Sequence, residues 1–187
     1  MNIGFAMCGS FCTFSQVFPV MEELAEKHNL IPILSPVSYG TDTRFGTAEQ
    51  HIQRIADICG KHPFHTVEQV EPIGPRKLLD VLVIAPCTGN TLAKLAHSIA
   101  DTAVTMAAKS HLRNGRPILL AISTNDALAG AAENIGRLLS KKHYYFVPFG
   151  QDDSTNKPTS MVADFTQIPV ALESALAGKQ IQPILLK

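Results

Sequence analysis

The chain has 187 residues, the size of one domain, and its 45% hydrophobic and 17% charged residues suffice for a buried core and exclude a disordered segment. Sixteen basic residues balance sixteen acidic ones, so nothing in the charge suggests a nucleic-acid surface or an acidic tail. The opening Met1-Asn-Ile-Gly-Phe-Ala-Met7 has no positively charged leader and no apolar run reaches membrane-spanning length, so a cytoplasmic protein without a membrane partner is expected, one domain over residues 1–187 with an apolar tail from about 178.

The first predicted element is an apolar strand, Ile3-Gly-Phe-Ala-Met7. The small-residue loop Cys8-Gly-Ser-Phe-Cys-Thr13 follows, then a helix with Val17, Val20, Met21 and Leu24 on one face, ending near His28. Gly9 admits close backbone approach and Ser10 offers a hydroxyl, so the loop is a candidate phosphate cradle; a tight turn with a serine cap fits the same residues. It is not the G-x-G-x-x-G of a dinucleotide site. Ile31-Pro-Ile-Leu-Ser35 predicts a second strand, and Pro36 to Gly46 a loop of about a dozen residues, a length often tied to function. Thr47-Ala-Glu-Gln50 reads as a capping box before a helix that buries Ile52, Ile55, Ala56 and Cys59 and ends at Gly60. His51 and Arg54 fall off that face, which places His51 at the surface. His65 to Val67 predicts a short strand, and Pro72, Gly74 and Pro75 break the chain before Arg76-Lys77.

The stretch that organises the rest begins with Val81-Leu-Val-Ile-Ala85, apolar and mostly β-branched, as in a strand buried on both faces. Pro86 is expected to stop it. Leu92, Leu95, Ala96 and Ile99 then fall on one helix face. Between strand and helix stand Pro86, Cys87, Thr88, Gly89 and Asn90, small or polar residues where open α/β sheets bind ligands and where helix amides favour anions. Asn90 or Thr91 as a simple helix cap is the competing account.

Beyond Asp101, residues 102–112 predict a helix stopped by Asn114-Gly115, and Pro117 to Ile122 another buried strand. Ser123-Thr-Asn-Asp126 repeats the polar strand-to-helix pattern before a helix carrying Leu128, Ala131, Ala132, Ile135, Leu138 and Leu139. Tyr144 to Phe149 predicts the final strand, Gly150 to Ser160 a polar loop, and Val162 to Leu176 the last helix with Pro169 an irregularity. The tail from Ile181 to Lys187 is expected to pack on a neighbour.

The four cysteines form no C-x-x-C pair, and the seven histidines show no metal-ligand spacing, so neither a disulfide framework nor a metal site is expected. Alternating strands and helices predict an α/β fold, a Rossmann-like or flavodoxin-like three-layer sandwich with a parallel sheet and right-handed crossovers. The loops at Gly9, Ser35, Pro86 and Ser123 then share one sheet edge, which points to a phosphate-bearing cofactor there.

Pro86-Cys-Thr-Gly-Asn-Thr-Leu-Ala-Lys94, followed by Ile99-Ala-Asp101, resembles the Pro-x-Ser/Thr-x-Asn-Thr-Leu-Ala-Lys motif of the flavoprotein family of FMN-dependent cysteine decarboxylases and flavin prenyltransferases. Gly9-Ser10 matches that family's Gly-Ser. Met7 to Thr13, Pro86 to Thr91 and Pro148-Phe-Gly-Gln-Asp-Asp153 with Lys157-Pro-Thr-Ser160 resemble one branch of it, the flavoprotein subunits of dipicolinate synthases, across the whole chain.

The resemblance implies bound FMN, with Gly9, Ser10, Ser35, Pro86, Thr88, Asn90, Thr91 and Ser123 around it, and Asn90 as the candidate catalytic residue near a substrate carboxylate. It implies a homo-oligomer built on a trimer and, for the dipicolinate branch, a partner A subunit that binds NAD(P). The joint reaction would oxidise a dihydro- or hydroxytetrahydrodipicolinate to dipicolinate during sporulation. A dicarboxylate substrate calls for cationic anchors, for which Arg44, Lys94 and Lys109 are candidates. The decarboxylases' Pro-x-Met-Asn-x-x-Met segment is absent, replaced by Ser123-Thr-Asn-Asp126; their active-site histidine has only His51 and His65 as candidates by rough position. A self-sufficient FMN-dependent decarboxylase or prenyltransferase, and a non-catalytic scaffold subunit, remain the alternatives.

Overall fold

The computed structural model describes residues 1–186; Lys187 lies outside the described residues. In chain order the elements are β1 (Asn2–Met7), α1 (Phe14–Lys27), β2 (Asn29–Leu34), α2 (Pro36–Gly40), α3 (Ala48–Cys59), α4 (Val67–Val70), β3 (Val81–Cys87), α5 (Gly89–Ala96), α6 (Ala103–Leu112), β4 (Ile118–Thr124), α7 (Ala132–Leu139), β5 (Tyr144–Phe146), β6 (Phe149–Gly150), β7 (Met161–Ala163) and α8 (Ile168–Leu176). Strands β2, β1, β3, β4 and β5 lie side by side and pair in parallel in that order. Helices flank this sheet, α1 packing with α8 and α5 with both α6 and α7. This is the expected flavodoxin-like sandwich.

The four long strands are specified by apolar runs. Every residue of β3 is buried, as is β4 as far as Ser123, because helices cover both faces. The order reverses between β1 and β3: the chain leaves β1 toward β2 and leaves β3 toward β4. Ligands of doubly wound sheets bind at such a switch point, beyond the strands' C-terminal ends.

The expected boundaries shift in several places. Pro86 does not stop β3; it lies inside the strand, where the register with β4 slips between Ile84 and Cys87, an irregularity of the kind that tolerates proline. Helix α5 ends at Ala96, which leaves Ile99 47% exposed instead of on the buried face. The loop after Ser35 contains the short helix α2, for which Ser35 is the N-cap. Thr66 and Gln69 form a capping box, so residues from Val67 turn into α4 where a strand was predicted; only Phe64 bridges to Ile33. The helix predicted from Leu128 starts at Ala132, leaving Leu128 exposed.

The largest differences lie after Tyr144. The expected single strand is two, β5 and β6, broken at Val147-Pro148. Residues predicted to begin the last helix form β7, which runs antiparallel to the end of β4 (Ser123↔Val162, Thr124↔Met161) and to β6. Pro169 sits in the first turn of α8, where its missing N–H costs nothing. The tail packs on its own chain: Phe149 donates to the Ile184 carbonyl at 3.0 Å and Leu186 donates back to Phe149 at 2.9 Å.

Candidate functional site

The loops after β1, β2, β3 and β4 meet at one sheet edge and open two adjoining clefts that share Gly9 and Thr88. The larger, of about 600 Å³, runs over Ser10, Phe11, Cys12, Phe45, Ser123 and Asn125. The smaller, of about 390 Å³, is lined by Ser35, Val37, Asn90, Thr91, Lys94 and Thr102.

Backbone bonds hold the two central loops together. Cys8 donates to the Pro86 carbonyl at 3.1 Å, and Ser35 donates to Met7 at 3.0 Å. Gly9 is packed so tightly that a Cβ there would lie 2.9 Å from a Val37 methyl. A Cβ on Gly89 would lie 2.7 Å from Asp126 Oδ1 and 2.8 Å from Thr124 Oγ1, so glycine lets the start of α5 settle against the end of β4.

Hydroxyls knit the walls. Ser10 Oγ and Ser123 Oγ are 2.7 Å apart and join the first loop to β4. Thr91 Oγ1 donates to Cys8 Sγ at 3.3 Å, and Thr88 Oγ1 donates to Thr91 Oγ1 at 3.3 Å. Burial pushes the Cys8 thiol up to about 11, against the lowering pull of Thr91 and the Thr88 backbone, so the sulfur stays neutral behind Thr91 and outside both clefts. Burial raises the Cys87 thiol as well.

Thr88 is the N-cap of α5, but its side chain bonds no amide of the first turn. The amides of Gly89 and Asn90 therefore stay open at a helix N-terminus. Those of Phe11 and Cys12, opening a 3-10 turn after Ser10, are also without backbone partners. Open amides with neutral hydroxyls suit a phosphate-bearing group.

Of the residues predicted for cofactor binding, the clefts bring together Gly9, Ser10, Ser35, Thr88, Asn90, Thr91 and Ser123. Pro86 lines neither cleft; it is buried and contributes its carbonyl. Neither Asn90 nor Thr91 is the helix cap: Asn90 is exposed in the first turn, and Thr91 is buried against Cys8. The Ser35 hydroxyl is engaged as a cap, accepting from the Ser38 amide at 3.2 Å.

His51 is not at the surface. It is 7% exposed, its ring 5.0 Å from that of Phe14 and 6.1 Å from those of Phe11 and Phe18. Burial, and then Arg54, hold its pKa below the usual value. It lines a separate hollow behind Phe11 rather than either cleft. His65 stacks on Tyr39 with ring centres 3.7 Å apart. Of the candidate cations, Lys94 lines the smaller cleft but binds Asp101 at 2.8 Å, Arg44 lies over the Phe45 ring, and Lys109 lines another hollow.

Phe11, Cys12, Thr43, Phe45 and Lys157 line the larger cleft but were not among the predicted site residues, although Phe11, Cys12 and Lys157 lie in the segments that carry the resemblance. The length of the 36–46 loop was the signal for Thr43 and Phe45. Lys157 comes from the polar loop before β7 and pairs with Asp152 at 3.3 Å. Burial raises the Asp152 pKa, but bonds from Ser160, its own amide and Lys157 outweigh this and hold it below the usual range. Among the described residues no group of three His, Cys, Asp or Glu side chains could hold a metal ion, and no helix is long and apolar enough to cross a membrane.

Comparison with known proteins bears on this edge. The family model described as Flavoprotein matches residues 1–162. The dipicolinate synthase B subunit of Bacillus subtilis (strain 168) is 45% identical over 187 residues, which are 100% of this chain and 94% of that protein. The crystal structure of the dipicolinate synthase B subunit from Bacillus halodurans has a TM-score of 0.91 at 42% identity, covering 100% of this chain and 96% of that one. The FMN-dependent cysteine decarboxylase SpaF shares the fold, with a TM-score of 0.70 at 23% identity and 95% of each chain covered.

Proposed function

The chain belongs to the flavoprotein family, and we propose that it is the flavin-binding subunit of a dipicolinate synthase, an oxidoreductase component that works with an A subunit. The observation that carries this reading is the 45% identity to a dipicolinate synthase B subunit along the whole chain.

FMN is the cofactor in this reading. The open amides of the first loop and of α5, with the Ser10, Thr88 and Ser123 hydroxyls, provide neutral donors for its phosphate and ribityl oxygens. Gly9 keeps the cradle narrow, Gly89 lets α5 settle against the end of β4, and Thr91, backed by the buried Cys8, lines the smaller cleft. Asn90, exposed beside Thr88 and without a side-chain bond among the described residues, is free to turn toward a substrate carboxylate. Conversion of a dihydropyridine to a pyridine removes a hydride equivalent and a proton, and redox chemistry of that kind is what a bound flavin supplies. The chain has no G-x-G-x-x-G loop, so NAD(P) is assigned to the A subunit. In the same reading residues 1–187 are one flavoprotein domain of a cytoplasmic, trimer-based homo-oligomer.

The test follows dipicolinate absorbance from the lysine-pathway precursor with NADP⁺, for this chain, the A subunit and their mixture. Full rate is expected from the mixture alone. An A subunit that reaches the same rate unaided would overturn the reading and leave this chain a scaffold.

A further inference from the structure

We propose that Lys157 anchors a carboxylate of the substrate in the larger cleft, held in place by Asp152. The proposal rests on the flavin oxidoreductase reading and adds to it the residue that recognises the heterocyclic dicarboxylate. Lys157 is the one basic side chain among the described residues that line this cleft, and Asp152, its ion-pair partner, is the one carboxylate; hydroxyls, amides and the Phe11 and Phe45 rings make up most of the rest. The other cations of this edge lie outside this cleft: Lys94 lines the smaller one and binds Asp101, and Arg44 lies over Phe45.

The loop that carries Lys157 is built rather than slack. Asn156 donates its amide to Asp153 Oδ1 at 2.9 Å, Lys157 to the Asp153 carbonyl at 2.8 Å, and Ser160 to the Lys157 carbonyl at 3.0 Å. Gln151 Nε2 closes the loop on Pro158 at 2.8 Å. Thr159 Oγ1 fixes it to the Asn125 carbonyl at 2.7 Å, and Leu128 donates to Thr159 at 3.0 Å. The loop is thus tied to the residues that follow β4 and presents one ammonium to the cleft. The open amides of the first loop and of α5 offer a phosphate neutral donors, which leaves the ammonium for a second anion. A carboxylate meeting a lysine forms a charge-assisted bond, the stronger class of hydrogen bond. Asp152 aims the ammonium but also competes for it, so the two residues have opposite effects on an incoming carboxylate.

The experiment titrates the FMN-loaded protein with dipicolinate, followed by calorimetry and the flavin spectrum, for the wild type and for Lys157→Met, Lys157→Arg and Asp152→Asn. Lys157→Met is expected to weaken binding about tenfold with flavin content unchanged, and Lys157→Arg to retain most of it. Asp152→Asn is expected to tighten binding, which a merely structural role for the pair would not do. Lys157→Met binding as tightly as the wild type overturns the anchor. So does a wild-type chain that supports dipicolinate formation with its partner yet binds no dicarboxylate. Failure of the mixture to form dipicolinate, with Lys157-dependent binding intact, overturns the functional reading and leaves the anion site standing.

Discussion

The molecule divides into two regions built on different terms. Strands β1 to β4 are six or seven residues long and almost wholly buried between helix layers. From Tyr144 onward the strands are two or three residues long, and two of them run antiparallel at the end of β4. The first region is held by apolar burial and would form with many loops. The second joins the same core through Phe146, Phe149, Phe165, Ile168 and Leu172, but its short strands depend on pairing: β7 pairs with Ser123 and Thr124, and the tail with Phe149. The larger cleft lies where the two regions meet, Ser10 and Thr88 coming from the first, Ser160 and Val162 from the second, whereas the smaller cleft is lined by the first region. A rigid base with a separately built wall lets substrate contacts vary without disturbing the cofactor cradle.

The comparison breaks most sharply on packing. Phe5 is fully buried in β1, and Phe5→Ala is expected to cost about 3–5 kcal/mol. Val162 lies in β7 at the cleft, only partly buried, and Val162→Ala is expected to cost about 1 kcal/mol. Urea unfolding of the two variants measures both. Equal losses would mean that β7 is as much part of the core as β1.

The same division governs what was legible in the sequence. Val81 to Ala85 and Ile118 to Ile122 announce themselves because burial on both faces demands unbroken apolar runs. Gly9, Ser10, Thr88 and Ser123 were placed at one edge because parallel strands put their loops there. Met161-Val-Ala163 has no such signature: three apolar residues suit a helix as well as a strand, and only the open edge of β4 decides. His51 was misplaced because helical spacing put it beside the buried stripe, while the Phe11, Phe14 and Phe18 rings come from an earlier loop and helix. Lys157 stood in the sequence only as part of the Lys157-Pro-Thr-Ser160 resemblance, without a place in the cleft, because its site is made by a loop folding back across β4.

Acid should sharpen the contrast. His111, on α6, is fully buried and donates Nε2–H to the Pro117 carbonyl at 3.0 Å, with no partner for Nδ1. Burial above all pushes its pKa down to about 4 from 6.5; Pro117 and Asp80 oppose this, while Arg116 adds to it. Between those values the unfolded chain binds the extra proton, so the stability from neutral His111 is complete above pH 6.5 and lost as pH falls toward 4, at about 1.4 kcal/mol per unit. In the later region, bonds from Thr166 and Gln167 hold Asp164 below its usual 3.8, so its contribution is lost only in more acidic solution, below that value. Unfolding midpoints from pH 7 to 4 should fall more steeply for the wild type than for His111→Gln, which keeps a donor for Pro117. Equal slopes would remove His111 from the account.

The smallest effect on stability is expected beside the seam, in the smaller cleft, and it separates binding from scaffolding. Asn90 stands in the first turn of α5, exposed, without a side-chain bond among the described residues. Thr88 occupies the cap position, so truncating Asn90 removes no cap, and Asn90→Ala should change stability by less than about 0.5 kcal/mol. Thr91 is the internal contrast. Its hydroxyl is buried against Cys8, so Thr91→Ala strips a bond that ties the two central loops together and should destabilise by about 1 kcal/mol. If Asn90 serves the ligand, Asn90→Ala keeps its melting temperature yet retains less flavin through gel filtration or turns over more slowly with the A subunit. If the residue is only part of a helix end, flavin content and turnover stay at the wild-type level, and the cradle reduces to Gly9, Ser10, Thr88 and Ser123.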